Sequence, residues 1–244
     1  MIYGTYLSAA GMAGEQARQD LIANNLANVE TTGFKRILTL FQERAPQPSG
    51  RQWQNMTGGR WTLPTQVDLS QGGFEDTGDP LDLALVGEGY LTVAQAGQSR
   101  LTRDGRLAIN QQGLLAMAAD PETLVLNDAG LPIDLAGAAA GDLNIGTDGT
   151  IRHARTNEVI ARLGLATADA VRPMGGSMLE PLSPPRPVGA DLEVRAGQLE
   201  RSNVDPTVEL TRLIEAGRLL EANANMIRYQ DTSLGRLIEA SRIG

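Results

Sequence analysis

A single histidine, His153, stands in Ile151-Arg152-His153-Ala154-Arg155, so any Ser-His-Asp relay would have to be built around it. No Gly-x-Ser-x-Gly elbow exists to present a serine nucleophile. The ring follows an Asp148-Gly149 turn and is flanked by arginines, which reads as surface. There is no cysteine, so thiolate chemistry and disulfides are excluded. With one histidine and no thiols, zinc ligand sets are out of reach. Asp76, Asp79 and Asp82 cluster, and glycoside hydrolysis needs only two carboxylates. They fall around Gly78 and Pro80, however, where aspartates commonly start turns. Gly87-Glu88-Gly89 lacks the third glycine and the following helix of a dinucleotide loop. The residues point to no catalytic, metal or cofactor site, and the chain reads as a non-enzyme.

The bulk properties narrow the partners. The formal charge is −8, so nucleic acid would be repelled overall. Lys35 is the one lysine among twenty arginines, which matches a GC-rich coding sequence more simply than any function. The composition, 41% hydrophobic and 20% charged, is that of a folded globular chain. Its 28 glycines suggest many turns and a β-rich middle. Residues 1–10 have neither the basic nor the apolar region of a Sec signal peptide. No run approaches the ~20 apolar residues of a bilayer span, so no stable membrane insertion is expected.

Residues 2 to about 28 read as a helix. Ile2, Tyr6, Ala9/Ala10, Ala13, Ala17, Leu21 and Asn24 recur at steps of three and four. Gly4, Gly11 and Gly14 each cost ~1 kcal/mol against alanine, so this helix needs a partner. Asp205-Pro206 starts a second helix, with a capping side chain followed by a ring that pre-sets φ. Leu210, Leu213, Gly217, Leu220, Ala224, Ile227, Asp231, Leu234, Ile238 and Ser241 then form a five-heptad seam. A neighbouring stripe (Ala216, Leu219, Asn223, Met226, Gln230, Ser233, Leu237) widens the face enough to ask for two or more partner helices. Glu209, Arg212, Glu215, Arg218 and Glu221 alternate in sign as a solvated or weakly paired surface.

Between the helices, Gln47 to Thr65 reads as an extended arm rich in Gly and Pro. From Gly72 to Gln198 short apolar runs alternate with turn signals at Asp104-Gly105, Gln112-Gly113, Asn127-Asp128-Ala129-Gly130 and Asp148-Gly149. Met174 to Gly189, with Pro181, Pro184, Pro185 and Pro187, reads as a long surface loop. The expected fold is α+β. Residues 1–33 and 203–244 form a helical assembly domain in which long terminal helices pair in coiled-coil fashion. Residues 34–71 form the arm, and 72–202 a central antiparallel β domain.

The segment Ala23-Asn24-Asn25-Leu26-Ala27-Asn28-Val29-Glu30-Thr31-Thr32-Gly33-Phe34-Lys35-Arg36 closely resembles the N-terminal signature of flagellar rod and hook proteins. Gln198-Leu199-Glu200-Arg201-Ser202-Asn203-Val204-Asp205 resembles that family's lead into its last helix. Gly87 to Val93 and Leu101 to Leu107 are similar to its central β domain. Three ordered matches cover both ends and the core. Within the family, the length and the Glu221-Ala222-Asn223-Ala224-Asn225-Met226 run are more similar to proximal than to distal rod subunits.

The resemblance implies a structural part of the bacterial drive shaft, in the periplasm. It also implies export through the flagellar type III apparatus without a Sec signal, and assembly with other rod proteins and copies of itself. On this reading Asn24, Asn25, Leu26, Asn28, Thr32, Gly33, Phe34, Ser202, Asn203 and Val204 are motif positions. The amides either cap the helix end or bond between subunits, and Gly33 takes φ > 0 as the chain turns. Tyr6, Ala13, Ala17, Leu21, Leu210, Leu213, Leu220, Ile227, Leu234 and Ile238 are helix-packing positions. The reading from a different class is a soluble β-domain binder of glycan or cell wall whose helices form a private hairpin. Circular dichroism and proteolysis of dilute monomer separate them: a rod subunit has labile termini, a private hairpin does not.

Overall fold

The computed structural model describes residues 2–39, 41–43, 60–62, 65–135, 137–189 and 191–242. It runs helix, β region, helix, and its described residues fall into two compact units. One contains 1–27, 37–66 and 205–244; the other contains 28–36 and 67–204. Most of the expected arm between Gln47 and Thr65 lies outside the described residues. On either side of the gap, Phe41–Glu43 and Arg60–Thr62 form an antiparallel pair.

In the helical unit, α1 spans Ile2–Ala27 and α2 spans Pro206–Arg242. Asp205 caps α2 as its position suggests: Oδ1 accepts from the backbone N–H groups of Thr207 at 2.8 Å and Val208 at 3.2 Å. The glycines of α1 are explained by what lies over them. A Cβ on Gly4 would sit 2.6 Å from Gln230 Nε2, and one on Gly11 would sit 3.2 Å from Asn223. Further along, Gln19 lies over Gly217 of α2 at 3.5 Å. Thr5 Oγ1 donates to Gln230 Oε1 at 3.0 Å. Rising numbers on one helix meet falling numbers on the other, so the pair is antiparallel, with glycines receiving amide side chains.

Amide side chains therefore fill the space at the glycine positions of the pair. Ser8, Glu15, Ile22 and Asn25 are the buried residues of α1, and Glu209 and Ala216 those of α2. Glu209 departs from the solvated stripe expected for it; it is 1% exposed, with Arg212 Nη1 at 2.8 Å. The large apolar side chains Leu210, Ile214, Leu219, Met226, Leu237 and Ile238 point outward, between 45% and 59% exposed. Each apolar side chain left in water forgoes ~1.5–3 kcal/mol.

The second unit is antiparallel β. Its main sheet follows the order Val171–Gly175, Met178–Pro181, Gln98–Thr102, Tyr90–Gln95, Asp120–Val125, Leu115–Met117, Leu107–Ile109. The core gathers Leu83, Leu85, Leu91, Val93, Leu115, Met117, Val125, Ile151, Leu163 and Val194. Two expectations change here. Much of the expected loop Met174–Gly189 is strand: Val171–Gly175 and Met178–Pro181 form a hairpin, and Arg186–Pro187 pairs with Ala166 and Thr167. The prolines are tolerated because Pro173 lies on the outermost strand and Pro181 at a strand end, where a missing N–H costs no ladder bond. Asp104-Gly105 is a close packing point instead of a hairpin tip. A Cβ on Gly105 would lie 1.6 Å from Leu83 O, and Leu83 N–H donates to Gly105 O at 2.9 Å. Gly113, Gly130 and Gly149 do take positive φ at turns.

Candidate functional site

The two motif segments that flank the β region meet inside the β unit around Glu200. This residue ends the strand Gln198–Glu200, which pairs with Phe74–Asp76, and it is 0% exposed. Its Oε1 accepts from Lys35 Nζ at 2.7 Å and from Gly72 N–H at 3.0 Å. Its Oε2 accepts from Arg103 Nη1 at 3.0 Å. Lys35 Nζ also donates to Ser70 O at 2.7 Å. Arg103 donates to the carbonyls of Leu85 at 3.2 Å and Gly87 at 2.6 Å, with its guanidinium 5.3 Å from the centre of the Tyr90 ring. A carboxylate with two buried cations and a backbone donor is a clasp, not an acid–base site. Burial pushes the Lys35 ammonium below its ordinary value, against the charge and hydrogen bond of Glu200 that act to raise it.

Other motif residues tie the same strands together. Asn203 Oδ1 accepts from Arg36 N–H at 2.7 Å, while Nδ2 donates to the carbonyls of Asp68 and Ser70, each at 3.0 Å. Gly33 N–H donates to Glu200 O at 2.8 Å, and Gly33 sits at φ +66°. Phe34 is 2% exposed and Val204 7% exposed, both inside. Val204 N–H donates to Ser202 Oγ at 3.3 Å, and Thr31 Oγ1 donates to Asn28 Oδ1 at 3.1 Å. Thr32 is half-buried. A Cβ on Gly33 would lie 2.3 Å from Arg103 C, besides forcing a left-handed backbone on a side chain. Gly33→Ala is therefore expected to destabilise the β unit by more than ~1 kcal/mol, read as a lower denaturation midpoint.

In the helical unit, Asn25 is 1% exposed and pairs with one residue on both sides of its amide. Nδ2 donates to Ile37 O at 2.9 Å, and Oδ1 accepts from Ile37 N–H at 2.9 Å. The amide thus copies a strand partner and is engaged within its own chain. Asn24 is exposed and Leu26 half-buried. Of the helix-packing positions, Ala17, Leu21, Leu213, Leu220, Ile227 and Leu234 are half-buried, whereas Tyr6, Ala13, Leu210 and Ile238 are exposed.

The clasp was not legible beforehand. Lys35, Arg103 and Glu200 stood inside the quoted motifs, but their separations carry no periodicity. The usable signal was the lone lysine: a compact ammonium suits a pocket of one carboxylate and one carbonyl better than a forked guanidinium.

Four exposed or half-exposed carboxyls are held below their ordinary range by hydrogen bonds: Asp68 chiefly by Ser70, Asp120 by Thr123, Asp148 by Thr150 and Glu180 by Arg172. A lowered folded-state pKa gives stability that is full above the ordinary value and lost as pH falls through the folded value. The denaturation midpoint of the β unit is expected to hold between about pH 7 and 5 and to drop below about pH 4.

The candidates for chemistry are placed in structural roles. Asp79 Oδ1 accepts from Leu81 N–H at 3.0 Å in a turn, Asp76 Oδ1 accepts from Gln198 Nε2 at 2.6 Å, and His153 Nδ1 accepts from Arg155 N–H at 3.3 Å. Among the described residues, no group of three or more His, Cys, Asp or Glu could hold a metal, and no helix is long and apolar enough to cross a membrane.

Residues 6–35 match the family described as flagella basal body rod protein, and residues 195–240 match the C-terminal family of flagellar basal body rod FlgEFG proteins. The chain is 29% identical over 241 positions to the flagellar basal-body rod protein FlgF of Mesorhizobium japonicum, covering 96% of this chain and 95% of the relative. It is 32% identical over 215 positions to FlgF of Caulobacter vibrioides, covering 85% of each. With the rod protein FlgG of Bacillus subtilis it shares 28% over 268 positions, covering 99% of this chain and all of the relative. The two matched segments contain most of α1 with the turn after it and the Glu200 strand with most of α2, and with a relative 32% identical along 85% of its length the chain belongs to the flagellar basal-body rod family.

Proposed function

We propose that the chain is a proximal-type rod subunit that assembles with copies of itself and with other rod proteins through its terminal helices. The observation that supports this is the number of large apolar side chains that α2 leaves exposed. Leu213, Leu220, Ile227 and Leu234 are half-buried, at helical spacing from the positions that lie against α1, while Leu210, Ile214, Leu219, Met226, Leu237 and Ile238 remain exposed. A private hairpin would leave few large apolar side chains exposed. Those on this pair are available to partners, and covering them on more than one side takes more than one further helix, in coiled-coil fashion. Heterologous contacts of this type propagate into a shaft. The subunit is secreted through the flagellar type III apparatus with labile termini, and the helices order as neighbours bury them in the periplasmic rod.

The proximal type is favoured over the distal by alignment length. The match to the Mesorhizobium FlgF runs to 241 positions, close to the chain's own 244, whereas the Bacillus FlgG needs 268. The additional positions of the distal type have no counterpart here. Deleting the gene in its host is expected to abolish swimming and leave basal bodies without a complete rod. Complete, functional basal bodies in the deletion strain would contradict the assignment.

A further inference from the structure

Three charges brought from distant parts of the chain are sealed together in the β unit. The side chains of Lys35, Arg103 and Glu200 are 2%, 4% and 0% exposed. Among the described residues, Glu200 is the one carboxylate hydrogen-bonded to both cations, and it stands 165 residues after Lys35 and 97 after Arg103. A chain made or threaded from its N-terminus presents both cations long before their anion. Burying either cation alone costs several kcal/mol, more than a forming domain can offset. The same strand delivers a further contact: Glu200 O receives Gly33 N–H at 2.8 Å, so the segment after α1 has no backbone partner there until the strand arrives.

We infer that Glu200 is a folding gate: Lys35 and Arg103 stay solvated, and the 28–36 segment stays undocked, until the strand 198–200 supplies the carboxylate that admits all three. The β unit then closes only when about four fifths of the chain is available. Premature closure around an incomplete chain is disfavoured by unpaired charge. In the setting proposed above, this keeps a subunit threadable until about four fifths of it has passed, and that benefit rests on the export reading; the gate itself is a property of the isolated chain. Glu200 is a positioning residue here, acting through the two cations.

Refolding kinetics of the full-length protein test it, followed by protection of the Tyr90–Gln95 amides in pulsed hydrogen exchange. Glu200→Gln is expected to slow refolding at least about tenfold with little change in the unfolding rate, because the pairing is made in the rate-limiting step. The triple variant Lys35→Met, Arg103→Met, Glu200→Met has no charges to admit and is expected to refold at or above the wild-type rate. That second arm keeps the test decisive should Glu200→Gln fail to fold. Unchanged refolding with faster unfolding in Glu200→Gln, or a triple variant that refolds as slowly as the single one, would overturn the gate. Neither outcome bears on rod membership, which the deletion strain tests separately.

Discussion

Leu213→Asp, Leu220→Asp and Ile227→Asp are each expected to abolish incorporation into the basal body and swimming, while the β unit stays folded. All three side chains are half-buried on α2, at steps of three and four from Gly217, Asn223 and Gln230, which lie against α1. The β unit contains 28–36 and 67–204, so none of the three lies within it. In an assembled shaft, each substitution removes ~1.5–3 kcal/mol of apolar burial and leaves a carboxylate in an apolar seam at several kcal/mol more. At about 1.4 kcal/mol per tenfold, incorporation falls by at least about 100-fold. Immunoblots of purified basal bodies check this, alongside hydrogen exchange of the soluble protein to establish that its strands remain protected. Normal motility in all three variants would show that α2 carries no assembly energy.

Glu200→Ala is expected to be the most damaging single change to the β unit at equilibrium, by about 3–5 kcal/mol. It leaves Lys35 and Arg103 sealed without their shared anion and removes the acceptor of Gly72 N–H. Burial already works against the Lys35 charge with Glu200 present, so its loss has no local remedy. Since small domains are stable by only ~5–15 kcal/mol, a loss of that size removes a large share of the whole. Urea denaturation of the full chain, followed on the Tyr90–Gln95 strand, gives the number. A midpoint within error of wild type would mean that the three charges remain hydrated and are not a clasp.

What the sequence revealed tracks how local each signal is. Asp205-Pro206 names its own helix start because cap and first turn are neighbours along the chain, and the strands from Leu83 to Val194 announce themselves by alternation and turn residues. The 174–189 segment misled because proline reports only a missing donor. Whether that donor would have faced a neighbour or an edge is a property of the sheet. Gly105 misled similarly: Asp-Gly usually marks a hairpin, yet here the absent Cβ makes room for Leu83 O. The faces of α1 were legible as periodic but not as to which side meets α2. Spacing chose Tyr6, Ala9 and Ala13, while Ser8, Glu15 and Ile22 are the ones buried in the chain's own pair. Glycines at 4 and 11 looked like a weakness of the helix until Gln230 and Asn223 were found over them. The clasp was least legible of all, because a contact across 165 residues leaves no trace in any window of sequence.

An electron cryo-microscopy map of the intact basal body, at a resolution that shows side chains, measures the central claim directly. The exposed side chains of Leu210, Ile214, Leu219, Met226, Leu237 and Ile238 should lie within about 4.5 Å of apolar atoms from neighbouring subunits. Should they face water in the assembled rod, with subunits joined through their β units instead, assembly by the terminal helices would be wrong.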